Sequence, residues 1–394
     1  MSSDDRIPHP GTLHAQKMRG LAFLVGSLAL VVSAGCGEGT TTTSENSGGG
    51  GGPVAASISG NIAVGTRPSA IAVDSTTNKI YVADFGNPPP QTQFLNCPPA
   101  GGDVTVIDGA SESLTVVSIQ PGGGVDIDPV AIALNWTSHE AYVLAQGWGY
   151  LPSNFEGCFQ NLSLILAIDT STLTPTGFVF ALPPSEGFSF SGITVDQSTG
   201  EIYVGYIAFI DPNVLVISGG GYSTIPVSAQ PGAVAVNERA NKIYVTVGNS
   251  IAVIDSATNA VVATITDPNA VAPAAVAVNP TTNTIYVANS KSNNVTVIDG
   301  ATGSLTATIP VGASPSGLDV DSQANFIYVA NAGNSQPGDP GNVTVIDGAT
   351  HVTTTLTDFK AVSPIAVAVN SVTNKIYVAN SGSNSVTVID GAHK

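Results

Sequence analysis

From residue 54 onward, short runs of alternating apolar and β-branched residues are separated by clusters of Asn, Asp, Gly, Ser and Thr. This is the pattern of strands joined by turns. One unit recurs. A run of an apolar residue, a small or polar residue, Val (Leu134 in the second copy) and then Asp or Asn begins at Ile71, Ile132, Ile193, Val234, Val276, Leu318 and Val367. A Tyr follows ten residues after each start, at Tyr81, Tyr142, Tyr203, Tyr244, Tyr286, Tyr328 and Tyr377. A second run, Val-Thr-Val-Ile-Asp-Gly or a relative of it, comes next at Val104–Gly109, Val295–Gly300, Val343–Gly348 and Val386–Gly391. Looser forms stand at Leu166–Thr170, Val214–Gly219 and Ala252–Ser256, and a further strand-like run leads to the next copy.

Each unit predicts four short strands, a to d. In the fifth copy these are Val276–Asn279, Ile285–Asn289, Val295–Asp299 and Leu305–Val311. The starts are 61, 61, 41, 42, 42 and 49 residues apart. A four-strand unit with a period near 42 marks the blade of a β-propeller. The expected fold is therefore all-β, a seven-bladed β-propeller of four-stranded antiparallel blades over residues 54–394. The last copy stops after strand c, and Ser57–Gly65 has the pattern of a strand d, so the N-terminal strand is expected to close the last blade. The Tyr column predicts packing between blades, with each hydroxyl finding a partner. The Asp of the Ile-Asp-Gly turns predicts turn formation through its own backbone hydrogen bonds.

The repeat Ile-Tyr-Val-Ala-Asn followed by Val-Thr-Val-Ile-Asp resembles the YVTN-type β-propeller repeat family, in register seven times across residues 54–394. The third copy departs most, with Gly205-Tyr206 after its Val and Ser218 in place of the Asp. The resemblance implies a propeller and little about chemistry.

Residues 1–36 have the layout of an export signal: Lys17 and Arg19, an apolar run from Leu21 to Val32, then Ser33-Ala34-Gly35-Cys36. Ser-Ala-Gly-Cys resembles the lipobox of bacterial lipoproteins, although Ser33 stands where Leu is usual. That resemblance implies lipidation of Cys36, and Gly37 after it favours an outer-membrane or cell-surface location facing periplasm or exterior. Met18 is an alternative start. Residues 37–53, rich in Gly, Ser and Thr, read as a flexible tether.

The charge of −17, with 11 Lys and Arg in total, argues against nucleic-acid binding. Membrane contact is expected through the lipid alone, and the protein is expected to be a monomer. Deviations from the repeat cluster on one face. The b–c insertions Asp84–Gly102, Ala145–Asn161 and Asn331–Asn342 and the d–a connections Gln120–Asp128 and Pro183–Ser189 all emerge on the same side. They carry or adjoin Phe85, Phe94, Trp148, Tyr150, Phe155, Phe188 and Phe190, with Arg67 at the rim. Two readings stand side by side: a site for a protein, glycan or small molecule, or a satellite core that orders the loops. Cys97 and Cys158 lie in neighbouring insertions and are expected to form a disulfide in an exported protein.

No catalytic constellation is legible. His139 and His351 fall in turns of the opposite face, which argues against His-based catalysis among the insertions. Asp84, Asp103, Asp126, Asp128, Glu156, Glu186 and Asp211 read as solvated loop charges. The expectation is a non-enzymatic binding propeller without cofactor. One alternative is a metal-dependent lactonase- or lyase-like enzyme with a divalent cation at Asp126 and Asp128. The other is a structural surface-layer protein.

Overall fold

The structure, a computed structural model, describes residues 54–86, 101–120, 125–149, 159–182, 189–207, 211–334 and 339–393. Their strands form seven four-stranded antiparallel sheets. These are the seven blades. In chain order their inner strands a are Pro68–Asp74, Val125–Asn135, Ser189–Val195, Pro231–Asn237, Pro273–Asn279, Pro315–Asp321 and Pro364–Asn370. Blade 7 is completed by Ser57–Ala63, which pairs antiparallel with Ser385–Asp390. The ring is thus closed by joining the two ends of the propeller, as the repeat pattern predicts.

Seven apolar clusters hold the ring, one at each junction between neighbouring blades. Each contains one Tyr of the recurrent column. Some hydroxyls cross to the next blade. Tyr81 donates to the Thr170 carbonyl at 3.4 Å, Tyr203 to Asn259 Oδ1 at 3.1 Å, and Tyr328 accepts the Ala392 N–H at 2.8 Å. Burial raises all seven hydroxyls above their ordinary pKa. The column is structural, as expected.

Polar bridges reinforce the junctions. The a–b pairing of every blade carries a register shift, just after its start in six blades and at Pro129/Ala131 in the longer blade 2 pairing. In three blades a Ser at that shift reaches the next blade. Ser69 donates to the Pro129 carbonyl at 2.8 Å, Ser191 to that of Pro231 at 2.8 Å, and Ser316 to that of Pro364 at 3.0 Å. At the other end of the inner strands the terminal Asn takes over. Asn237 donates to Asn283 Oδ1 at 2.7 Å, Asn279 to Asn325 Oδ1 at 2.8 Å, and Asn370 to Asn78 Oδ1 at 2.8 Å. Blade 6 ends in Asp321, which has no amide to donate, and the buried Oδ1 of Asn374 is left without a hydrogen-bond partner among the described residues.

The same Asn column explains the Gly of the Ile-Asp-Gly turns. These Gly residues are chosen for close approach. A Cβ on Gly109, Gly300 or Gly348 would lie 2.4–2.5 Å from the Oδ1 of the left-handed Asn in the a–b turn of its own blade.

Blade 2 differs from the sequence reading. Its four strands are Val125–Asn135, Glu140–Gly149, Phe159–Asp169 and Thr174–Leu182. Much of what reads as d–a and b–c loop is strand. Residues 125–128 pair with 146–149, which pair in turn with 159–163. The alternation simply continues: Ile127 is fully buried and packs with Val117, Ile119 and Leu164. Gln120 pins the extension, donating to the carbonyls of Gly102 (2.6 Å) and Ile127 (3.1 Å) and accepting the Ile127 N–H. Relative to the seven-residue inner strand of blade 1, the extension adds four residues, roughly 13 Å of sheet, on the insertion face.

Candidate functional site

The insertion face is built by the d–a and b–c connections. Four of the d–a connections share an unusual backbone. Arg67, Ala272, Ser314 and Ser363 each stand directly before the Pro that opens strand a, with φ of 54°, 56°, 52° and 56°. A non-glycine residue in this region costs about 1 kcal/mol or more, so something must hold it. In three blades an Asn of the preceding blade caps the strained N–H: Asn384 for Arg67 (2.8 Å), Asn249 for Ala272 (3.1 Å) and Asn293 for Ser314 (2.9 Å). The carbonyl of each strained residue then accepts an N–H from the end of strand b: Phe85, Ser290, Ala332 and Ser381.

Side chains in these two columns are Ala or Ser in blades 5, 6 and 7. Blade 1 has Arg67 and Phe85 instead. The guanidinium lies 4.8 Å from the centre of the Phe85 ring. Arg67 is exposed and Phe85 half-buried. The ring holds the cation in place, and its planar donor fork stays open to an anionic group. Both residues were expected at a ligand face, and the structure brings these two together.

Beneath this face lies a buried polar relay. In blade 5 the Asn289 amide donates to Thr296 Oγ1 (2.9 Å), whose hydroxyl donates to Asp267 Oδ2 (2.6 Å) from the incoming connection. Blade 7 repeats it with Asn380, Thr387 and Asp358. In blade 6, Asn331 donates to Thr344, and Gly312 replaces the Asp, offering its N–H to the same hydroxyl. Blade 1 inverts the order: Thr105 donates to Asp84 Oδ2 at 2.6 Å, and Gly65 occupies the incoming position. Burial pushes the Asp84 carboxyl up to about 6, and Asp103, directly opposite in the pairing, adds to the rise. Asp84 Oδ1 is buried with no hydrogen-bond partner among the described residues.

Two sequence expectations need correction here, and a third falls on residues only partly described. Asp84 and Asp128 are buried, at 2% and 3% exposure, and are not solvated loop charges. The alternative metal pair, Asp126 and Asp128, stands two residues apart on one strand of blade 2, opposite Trp148 and Gln146, and the side chain of Asp126 lies outside the described residues. Phe190, expected at the ligand face, is 4% exposed and packs between blades 2 and 3, its ring 6.2 Å from that of Tyr206. It fills the column that Pro occupies in the other blades, which aims it at the core. Phe94, Cys97, Tyr150, Phe155, Cys158, Phe188 and Cys36 lie outside the described residues, as does the side chain of Trp148. Among the described residues, no group of three His, Cys, Asp or Glu side chains is placed to hold a metal ion. His139 and His351 take left-handed turn positions in the a–b and c–d turns, away from this face.

The inner strands surround a central cavity of about 520 Å³. Its charged lining residues are Glu238 and Asp319. Asp319 occupies a column that is Ala in five blades and Thr194 in blade 3. It accepts its own neighbour's N–H from Val320 and, across the blade junction, that of Val369, both at 2.8 Å. Burial pushes its carboxyl up to about 6 against those two bonds, and Asp321 adds to the rise. Nothing in a strand pattern marks this residue as a channel group, but it breaks the Ala column, and that break is visible in the sequence.

Fold and geometry together define a seven-bladed β-propeller with one elaborated face. No family model and no curated protein matches the chain. Among solved structures it is similar to Kuenenia stuttgartiensis hydrazine synthase, at 18% identity and a TM-score of 0.61, over 82% of this chain and 95% of that one. It is also similar to Chaetomium thermophilum Raptor, at 15% identity and a TM-score of 0.62, over 86% of this chain and 30% of that one. Likenesses at such identities speak for the fold alone.

Proposed function

We propose that this protein is a non-enzymatic binding propeller that engages a protein, glycan or small-molecule partner through the insertion face over blades 1 to 3. The observation that carries the proposal is the elaboration of that one face. Blade 2 extends its strands a, b and c past the ring there, and beside it blade 1 replaces the small residues of its siblings with the Arg67–Phe85 pair. Structural repetition requires neither departure. The Arg67 guanidinium would meet a carboxylate, sulfate or phosphate of the partner, and the aromatic residues of the insertions would supply apolar contact area. In this reading the chain is exported, tethered by lipid at Cys36, and stapled by a Cys97–Cys158 disulfide.

Site-specific photo-crosslinking in the native cell tests the proposal. A photoreactive residue at Phe85 should capture a discrete partner. The same residue at Val352, exposed on a turn of the opposite face, should not. Adding Arg67→Glu should cut capture at position 85 by roughly tenfold, the equivalent of about 1.4 kcal/mol. Equal capture at both positions, or capture at Val352 alone, would place the working face elsewhere.

A further inference from the structure

The central cavity has a chemistry of its own, on the side of the ring away from the insertions. It is lined by the last three residues before the closing Asp or Asn of each inner strand, and by residues of the a–b turns. It therefore sits in the half of the ring nearer those turns. In the column just past the inner strands, blades 1, 6 and 7 carry Ser and blade 5 carries Pro280, whereas blades 2, 3 and 4 carry Trp136, Gln197 and Glu238. These three are joined in order. The Trp136 N–H donates to Gln197 Oε1 at 3.2 Å, and the Gln197 N–H donates to Glu238 Oε1 at 2.9 Å. The Trp136 indole remains 49% exposed at the mouth. Deeper in, Asp319 bridges blades 6 and 7 through two backbone N–H groups, which use one lone pair on each carboxylate oxygen.

Two features fix the ligand class. The lining contains Glu238 and Asp319 and no Lys, Arg or His. Low-dielectric walls around fixed negative charge concentrate cations, and the net charge of −17 acts in the same direction. A cavity lined by an exposed Trp and by carboxylates combines the two kinds of group that stabilise an organic cation, an aromatic face and a fixed negative charge. The inner-strand edges add backbone carbonyls and the ends of aliphatic side chains, suited to an N–H donor on an aliphatic body. The volume of about 520 Å³ lies within the range of small-molecule sites.

We propose that the channel mouth formed by Trp136, Gln197 and Glu238, with Asp319 below it, binds a small aliphatic ammonium ion. The alkyl body rests on the Trp136 ring and the strand walls, and the ammonium donates to Asp319 or Glu238. The site is separate from the insertion face, so either proposal can fail without the other.

The test uses the full-length protein carrying Trp148→Phe, so that Trp136 alone reports by fluorescence. Hexylammonium and 1,6-diammoniohexane are titrated at pH 7.5 and low ionic strength, with 1-hexanol as the neutral counterpart. Both cations should quench or shift Trp136 emission saturably, and hexanol should bind at least roughly tenfold more weakly. Asp319→Ala installs the residue that five blades carry, so the fold should survive, and calorimetry checks this. The substitution should weaken the cations by roughly tenfold and leave hexanol unchanged. Glu238→Gln, which keeps an acceptor for the Gln197 N–H, should have a smaller effect in the same direction. Equal affinity for hexylammonium and hexanol, or cation affinity unmoved by Asp319→Ala in the folded variant, overturns the proposal.

Discussion

Replacing Asp84 with Asn should make the protein more stable at neutral pH and leave it almost unchanged in acid. The perturbation is small in shape and large in charge. In blades 5, 6 and 7 the same position is Asn289, Asn331 and Asn380, each donating to a Thr hydroxyl on strand c. With Gly65 as its incoming residue, Asp84→Asn would recast blade 1 in the pattern that blade 6 already uses with Asn331, Thr344 and Gly312. The Asp84 carboxyl is carried from its ordinary 3.8 to about 6, chiefly by burial. The folded chain therefore holds this proton to higher pH than the unfolded chain does. Stability contributed by the site is present in acid and is lost as pH rises from about 4 through about 6. Full ionisation costs the fold about 3 kcal/mol by that displacement, and solvent and side-chain relaxation bring the realised gain nearer to about 1–2 kcal/mol. For a propeller of this size that is a rise in Tm of about 1.5–3 °C. Calorimetric melts of wild type and variant at pH 4.0 and 7.5 measure it. A gap that is the same at both pH values, or a variant less stable at pH 7.5, would refute the assignment of a buried, proton-holding carboxyl at blade 1.

Three further outcomes follow from the junctions between blades. Asp321→Asn should supply the amide that the buried Asn374 Oδ1 lacks, as Asn237, Asn279 and Asn370 do elsewhere, and raise stability by about 1 kcal/mol; an unchanged or lower Tm counts against it. Gly317→Ala would set a Cβ 2.6 Å from the Ile365 carbonyl oxygen and 2.8 Å from Ala366 Cα, backbone atoms of blade 7 that cannot turn aside. A loss of about 1–3 kcal/mol is expected, read from urea midpoints, and a neutral result would mean the two inner strands separate freely. Deleting residues 54–64 removes the outer strand of blade 7 and bares the edge of Ser385–Asp390. The truncated protein should aggregate or lose its cooperative transition, and retention of the wild-type melt would show that closure is dispensable.

The ring was legible because its markers recur in fixed columns. Tyr81 and its six counterparts, the Pro at most inner-strand starts and the Asn of the a–b turns each do one job seven or nearly seven times. The Asp-Gly turn was legible as a turn, but its reason was not: Gly109 and its equivalents answer to an Asn in the preceding turn of the same blade, across two strands, a contact no local pattern displays. The blade 2 extension was missed because a polar-apolar alternation such as Val125–Asp128 looks alike in an ordered sheet and in a long connection, and only the burial of Ile127 decides. Phe190 was misjudged because it adjoins an insertion in sequence while its ring turns to the junction of blades 2 and 3. The channel escaped notice because its wall reads as ordinary core, apart from the single carboxylate that interrupts the Ala column at Asp319.

Closure by Ser57–Ala63 also sets an order of events. The Ser59 hydroxyl bonds a carbonyl 329 positions further along, at Val388. The first strand of the propeller to leave the ribosome must therefore wait for the last one before it has a partner. Until then neither blade 7 nor its junctions with blades 1 and 6 can form, and the six earlier blades remain an open arc with two raw ends. Contacts of such long sequence separation fold slowly and expose unpaired edges meanwhile. The protein is expected to acquire its full cooperativity only once Ser385–Asp390 has emerged, in one late step that closes the ring.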